Sequence, residues 1–344
     1  MDLTVYEKRE RSKMALLLGL VLFLVISSLF FMTAFSDLSM KDIPVILMKY
    51  FQNMKMTAQE KIIFYMRMPT ICMAIAAGMA LAISGGVMQS ITHNDLVSPF
   101  TLGISSAAAF GASVCIVFGN TMMHSTVGLI FGAFVASCIC ISLVYGLSSL
   151  TGGAASALVL TGIAMNYFFS ALSASIQFLA QEYKLGEIIQ WTFGTLNKAT
   201  WSTVGITALV LLVATLLYYF FALRLDAMAI NDDETVKSLG IHAVRVRWIV
   251  GLVSVFLTAT VISFTGVIGF VGLIAPHIAR LIIGNEHKTF LPAAGLTGAC
   301  LLVYSDVIGK YILYPVSIPV GIVISFVGVP IFVHLIVKMR ERGA

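Results

Sequence analysis

The sequence predicts an all-α integral membrane protein with about ten transmembrane helices. Of its 344 residues, 59% are hydrophobic and only 11% are charged, and the mean hydropathy is +0.98. A soluble domain would carry about twice this share of charge. Apolar runs long enough to cross a hydrocarbon core of about 30 Å recur between residues 14 and 338. Such runs are too long for the strands of a membrane barrel, so the spanning elements are expected to be helices.

The apolar runs also place the individual helices. The first run follows the basic segment "KRERSK" but has no small-residue cleavage site after it. We therefore expect a retained spanning helix there and not a signal peptide. The expected spans are 14–35, 68–90, 99–118, 124–147, 156–180, 201–223, 247–265, 267–284, 290–308 and 319–338.

The distribution of Lys and Arg predicts the orientation. More of them fall on the side of the N-terminus than on the other side, where many lie in one long loop, 36–67. By the positive-inside rule the N-terminus is cytoplasmic, and an even number of spans places the C-terminus there too. The sequence thus predicts cytoplasmic tails at 1–13 and 339–344 around a membrane domain at 14–338.

The sequence lacks the motifs of several kinds of binding and catalytic site. The net charge of +5 is spread over short loops and tails, which argues against nucleic-acid binding, and the five cysteines lie inside apolar runs, which argues against disulfides or zinc. Gly309 and Lys310 are followed by Tyr311, so no phosphate-binding P-loop is present, and neither are HExxH, GxSxG or CxxC. We expect no catalytic or metal-binding residues. A carrier that works without a partner ATPase remains an alternative, and its candidate ion-coupling residues are Asp306 and His277, both near span ends.

One polar segment, "AINDDETVKSLGIHAVRVRW" (229–248), interrupts the apolar pattern. Its three acidic residues suit the first turn of a short helix, Val236 and Leu239 give that helix an apolar side, and Gly240 is a plausible stop. The segment is either a docking helix for a soluble partner or a solvated loop. Its candidate docking residues are Asp232, Asp233, Glu234, Lys237, Leu239, Gly240, Arg245 and Arg247, the last being equally suited to anchor a span.

Small residues recur within the spans, as in "AAGMALAISGG" and "GGAASALVLTG". In lipid no hydrophobic force drives helices together, and small residues allow their backbones to approach closely. The dipeptides "SP" (98–99), "AP" (275–276) and "IP" (318–319) add interrupted helices. We therefore expect a tightly packed bundle with broken spans.

Several long motifs follow one another from about residue 60 to the C-terminus. They are "MRMPTICMAIAAGMALAISGGVMQSITHNDLVSPFTLGISSAAAFGAS" (66–113), "WTFGTL" (191–196), "SFTGVIGFVGLIAPHIARLIIGNEHKTFLPAAGLTGACLLVYSDVIGKYI" (263–312) and "IPVGIVISFVGVPIFVHLI" (318–336). Together they resemble the FecCD family, the permeases of ABC importers for ferric siderophores, haem and vitamin B12. The chain departs from that pattern at Thr70, where the family usually has Arg, and at Asp95, where it usually has Pro.

The resemblance implies a vitamin B12 permease-like bundle in a prokaryotic cell membrane. It implies a second permease subunit, as homodimer or heterodimer, two ATPase subunits that hydrolyse ATP, and a periplasmic or lipoprotein solute-binding protein. The chain itself would then be no enzyme and hold no cofactor. The coupling loop would be 224–247, and the expected substrate is an iron–siderophore complex, with haem and vitamin B12 as alternatives.

The resemblance also assigns further site residues. Ala154, Ala155 and Ser156 are expected at the inner gate, although a tight helix–helix turn explains them equally. Lys61 and Arg67 are expected to contact the binding protein, or to act as ordinary side chains of the membrane interface. Pathway residues in the long 263–312 motif, which close packing and a kinked helix would also explain, are Gly266, Gly269, Gly272, Pro276 and His277.

Overall fold

The structure, a computed structural model, describes residues 3–33, 38–119, 122–150 and 152–343. Helices joined by loops make up this part of the chain, and it contains no strand. The helices are α1 (Leu3–Thr33), α2 (Ile43–Phe51), α3 (Ala58–Ile62), α4 (Met68–Thr92), α5 (Ile104–Phe118), α6 (Thr126–Leu150), α7 (Ala155–Leu179), α8 (Glu182–Thr192), α9 (Trp201–Ile230), α10 (Asp233–Ser238), α11 (Ala243–Thr265), α12 (Val271–Ile283), α13 (His287–Ile312) and α14 (Val320–Gly343).

The observed helices agree with the expected spans. Among the described residues, seven helices are long and apolar enough to cross a membrane, and α5, α12 and α14 are shorter apolar helices. Each of the ten expected spans corresponds to one of them, so the predicted all-α membrane fold is confirmed. Some bounds differ: α1 begins at Leu3 because the polar segment before Met14 is helical too, and α9 continues through Arg224 and Asp226 to Ile230.

The second span starts ten residues before the expected residue 68. Helices α3 and α4 are joined by a π-helical turn, Ile63–Arg67, into one rod from Ala58. A capping box starts it: the Glu60 backbone N–H donates to Thr57 Oγ1 at 3.3 Å, and the Thr57 N–H donates to Glu60 Oε2 at 2.7 Å. Hydropathy alone did not reveal this polar first turn.

Helix α4 lies at the centre of the bundle and packs on α9, α11, α12 and α13. It crosses α13 where Gly78 meets Gly298, and a Cβ added to Gly78 would lie 2.4 Å from the Gly298 carbonyl oxygen. At its crossing with α12, a Cβ on Gly85 would overlap the backbone of Gly272. Backbone meets backbone at both crossings, which confirms the close packing expected from small residues.

Successive spans run in opposite directions, so their ends form two layers. One layer, here called the α10 end, contains Thr92, Gly153, α10 and His287, which are tied together by the contacts described below. The opposite end contains Met32 and Arg67, joined by a 3.2 Å hydrogen bond from the guanidinium to the carbonyl oxygen.

Candidate coupling and gating site

The short helix expected in the polar segment is present as α10. Asp232 is its N-cap residue, with φ −70° and ψ 163°, and Asp233 and Glu234 form the first turn, where the helix dipole favours negative charge. Gly240 follows the helix with φ +79°, a conformation that glycine adopts without strain. The helix and its stop were therefore predicted correctly from the sequence.

The two apolar residues of α10 point in different directions. Val236 is fully buried and fastens the helix to the bundle, whereas Leu239 is 61% exposed. Of the two apolar residues expected on this helix, only Leu239 is therefore presented to a soluble partner. Apart from Val236 every residue of α10 is exposed, and so is Leu239, the C-cap residue that follows it.

Arg247 lies inside the protein and not on its surface. Only 1% of it is exposed, and its guanidinium donates to the Ile91 carbonyl at 2.9 Å, the Gly153 carbonyl at 3.3 Å and the Asp233 carboxylate at 2.8 Å. These acceptors hold it within the bundle, so in the single chain it supports α10 from the inside and does not present its charge to a partner. Arg245, two residues earlier, is exposed.

The expected gate residues lie beside this arginine. Gly153 has φ +70°, and Ala154 is the exposed N-cap residue of α7. Ala155 and Ser156 line an open cavity of about 710 Å³ together with the loop that follows α4. Hence the structure brings the three expected gate residues to the α10 end. Together with Gly153 they are here called the gate segment (residues 153–156), which Arg247 links to α10.

A second arginine joins α12 to the end of α4. Arg280 donates to Asp95 Oδ1 at 2.5 Å and to Gln89 Oε1 at 2.8 Å, and its guanidinium carbon lies 5.0 Å from the centroid of the Phe290 ring. Asp95 stands where the FecCD pattern usually has Pro. The departure thus supplies a carboxylate that neutralises a largely buried guanidinium.

A third polar cluster links α4, α9 and α13. His287 is buried, with Nδ1 2.6 Å from Asp226 Oδ1 and Nε2 2.8 Å from Ser90 Oγ. The same carboxylate oxygen accepts the His287 backbone N–H at 2.8 Å, so Asp226 caps the start of α13. Sequence reasoning missed this cluster, since its members lie far apart along the chain.

The residues assigned from the long 263–312 motif do not lie with the expected gate residues. Gly266, with φ +71°, and Gly269 lie in the turn before α12, at the opposite end from α10. Gly272 and Pro276 are buried at the contact with α4, near Gly85 and Gly86, and His277 is half-buried. In the described part of the chain no three His, Cys, Asp or Glu residues are grouped to hold a metal ion.

The two residues assigned to a binding protein lie near one another at the opposite end. Lys61 is exposed and lines an open hollow with Tyr50 and Tyr65. Arg67 is half-buried against the end of α1 and lines a different cavity, of about 340 Å³. Only Lys61 is fully presented to an outside partner.

Comparison with known proteins identifies the family. Residues 19–338 match the FecCD transport family. The hemin transport permease HmuU of Yersinia pestis is 33% identical over 80% of this chain and 83% of its own length, and the Fe(3+)-citrate import permease YfmD of Bacillus subtilis is 30% identical over 97% and 98%. A solved metal-chelate type ABC transporter in an inward-facing conformation has a TM-score of 0.81 at 29% identity, covering 94% of this chain and 99% of that one. The chain is therefore a permease of the FecCD transport family.

Proposed function

We propose that the chain is the transmembrane subunit of an importer for an iron–siderophore complex, driven by separate ATPase subunits. The observation that carries this proposal is α10, a short helix at one end of the bundle whose charged residues and Leu239 face outward. Exposed charges around one apolar side chain suit a contact with a soluble protein. Membership of a family of ABC-transporter permeases supports an ATPase as that partner.

In this proposal the α10 end faces the cytoplasm, together with both termini. The start of α1 belongs to this end, because Lys13 Nζ lies 3.4 Å from Glu286 Oε2 in the loop between α12 and α13. The excess of Lys and Arg on the same side supports the orientation. A binding protein would then deliver the substrate to the opposite end, where Lys61 is exposed.

The chain needs no covalent chemistry for this task. Closure of two ATPase subunits around ATP would shift α10, and the bundle would change which end of its pathway is open. The energy enters because the ATP-bound ATPase binds one conformation of the permease dimer more tightly than the other. The second permease subunit would complete the pathway alongside α7, whose surface is largely exposed in the single chain.

The substrate class is supported by chemistry shared among the relatives. Hemin and ferric citrate both present iron held by an organic ligand, as a ferric siderophore does. Haem and vitamin B12 are the alternatives. Uptake of radiolabelled ferric hydroxamate into cells expressing the whole transporter, with haemin and cobalamin as competitors, distinguishes them: only unlabelled ferric siderophore should compete.

The docking role is tested in liposomes holding the permease and its ATPase. We expect Glu234→Lys with Leu239→Ala to abolish both ATPase retention and the stimulation of hydrolysis by the loaded binding protein. Lys288→Gln, an exposed residue at the same end but outside α10, is the control and should retain both. Transport without any ATPase, or normal coupling in the α10 variant, would refute the proposal.

A further inference from the structure

Arg247 contacts three separate segments at the α10 end. Its Nε donates to the last turn of α4, one terminal nitrogen to the gate segment and the other to the first turn of α10. We propose that Arg247 is a positioning residue that transmits the displacement of α10 to the gate segment. This inference rests on the proposed function, since it presumes that an ATPase moves α10.

The ion pair between Arg247 and Asp233 is costly to break, so Arg247 and α10 are expected to move together. A buried guanidinium is costly unless it is paired and hydrogen-bonded, and the carboxylate that balances it belongs to Asp233, which is 45% exposed. If α10 moved without Arg247, a charge would remain in the bundle without its counter-ion. The guanidinium is therefore expected to follow α10.

The other side of the guanidinium meets a segment that is packed against α11. A Cβ built on Gly153 would lie 3.1 Å from Val244 Cγ1 and 3.3 Å from Trp248 Nε1. Trp248 in turn packs edge-on against Tyr145 of α6, with ring centroids 4.9 Å apart. The first two turns of α11 thus hold the gate segment, and a shift of Arg247 would reach the N-cap of α7 one residue later.

The geometry of the site requires an arginine in particular. A guanidinium carries five donors in a planar fork, so that one side chain reaches acceptors on three segments at once. A lysine offers a point charge and would keep the pair with Asp233 while losing at least one carbonyl. The Arg247→Lys variant should therefore fold well but transmit the displacement of α10 poorly.

The test follows the gate while the ATPase stays attached. A single cysteine replaces Ser156 in a protein whose five native cysteines are changed to serine or alanine, and the complete complex is labelled with a maleimide with and without a non-hydrolysable ATP analogue. We expect the analogue to change the labelling rate several-fold in the parent protein and in Lys288→Gln. In Arg247→Gln the ATPase should remain bound but the change should disappear, and Arg247→Lys should show a reduced change.

Two exposed carboxylates on α10 provide a matched variant pair in which no buried residue is replaced. Asp233→Asn removes the partner of Arg247, whereas Glu234→Gln removes an equal charge next to it that has no bond to Arg247 among the described contacts. We expect Asp233→Asn to suppress the labelling change in assembled complexes. In Glu234→Gln the ATPase should bind more weakly, yet the assembled complexes should respond fully.

Two results overturn the inference with the proposed function intact: a full nucleotide response in Arg247→Gln, or equal behaviour of Asp233→Asn and Glu234→Gln. If the parent protein itself shows no response to the nucleotide, the proposed function fails and the inference falls with it. The outcomes are thus distinguishable in one set of measurements.

Discussion

Helices α4 and α7 have the same length, yet they relate to the rest of the chain in opposite ways. In the most apolar window of the α3–α4 rod 83% of the residues are buried, and in that of α7 only 17% are. Helix α4 is enclosed by four neighbours, whereas α7 shows Leu160, Tyr167 and Phe178 to its surroundings. Stability within the single chain is thus concentrated in α4, and the surface available for lipid, substrate or a second subunit belongs to α7.

The largest effect on stability is expected from a substitution in α4 at its crossing with α13. In Gly78→Leu the new side chain would collide with the backbone of Gly298, which cannot move aside as a flexible side chain could. Overpacking typically costs about 1–3 kcal/mol, and a backbone obstacle places this variant at or above about 3 kcal/mol. This loss of stability is measured as the decrease in the unfolding free energy in mild detergent.

The matched control is Gly146→Leu on α6, where an added Cβ has nothing within 4 Å. It should unfold as the parent does. Equal destabilisation of both variants would mean that a leucine side chain on a span lowers the unfolding free energy wherever it stands, and that the α4–α13 crossing does not determine the outcome.

At the start of α7 the expected effect is on transport and not on stability. Ala155→Trp would fill the open cavity that Ala155 lines, and we expect substrate uptake to fall at least about tenfold, equivalent to about 1.4 kcal/mol. The unfolding free energy should stay within about 0.5 kcal/mol of the parent value. Ala155→Ser keeps the residue small and should transport normally, and normal uptake in the tryptophan variant would exclude this segment as the gate.

A smaller effect is expected where α7 meets α5. Ser106 Oγ lies 2.5 Å from Asn166 Oδ1 and 3.2 Å from Ser170 Oγ, which forms a polar contact between the two helices. Interhelical hydrogen bonds in membranes contribute about 0.6 kcal/mol on average, so Asn166→Ala should lower the unfolding free energy by about that amount. Ser175→Ala, which removes a bond within α7 itself, should leave it unchanged. A loss above about 2 kcal/mol in Asn166→Ala would place α7 nearer the core than its exposure indicates.

The smallest effect is expected at the far end of α7. Phe178 is 89% exposed, so Phe178→Ala should not change the stability of the isolated subunit by more than about 0.5 kcal/mol. Its effect should appear instead in the fraction of dimer seen by light scattering, if α7 contacts a second subunit. A destabilised monomer would contradict the division of roles between α4 and α7.

The sequence was informative wherever a pattern is local. Alternating apolar runs and loops placed all ten spans, and the acidic turn before Gly240 placed α10. The start of the second span was placed too late, because the capping box at Thr57 and Glu60 precedes the apolar run. Helices α2 and α8 were not predicted, because α2 is an apolar segment of only nine residues, too short to be a span, and α8 carries several polar residues.

The contacts at the α10 end could not be read from the sequence. Arg247 was recognised as a basic residue near a membrane boundary, but its acceptors at Ile91 and Gly153 lie 156 and 94 residues away. Burial of a charge depends on such distant partners, which no local pattern reveals. In the sequence, Asp95 is only a departure from a motif, whereas the structure shows that its carboxylate pairs with Arg280.

The shortness of α12 has a consequence for how the protein is made. Its 13 residues span only about 20 Å, less than the hydrocarbon core of about 30 Å, and residues 266–270 before it are not helical. Their backbone groups cannot face lipid, so α12 is not a stable insertion unit by itself. During synthesis it should leave the translocation machinery only together with α11 and α13. A nascent chain that stops before residue 287 would then be a substrate for quality-control proteases and not a stable precursor of eight spans awaiting the last two.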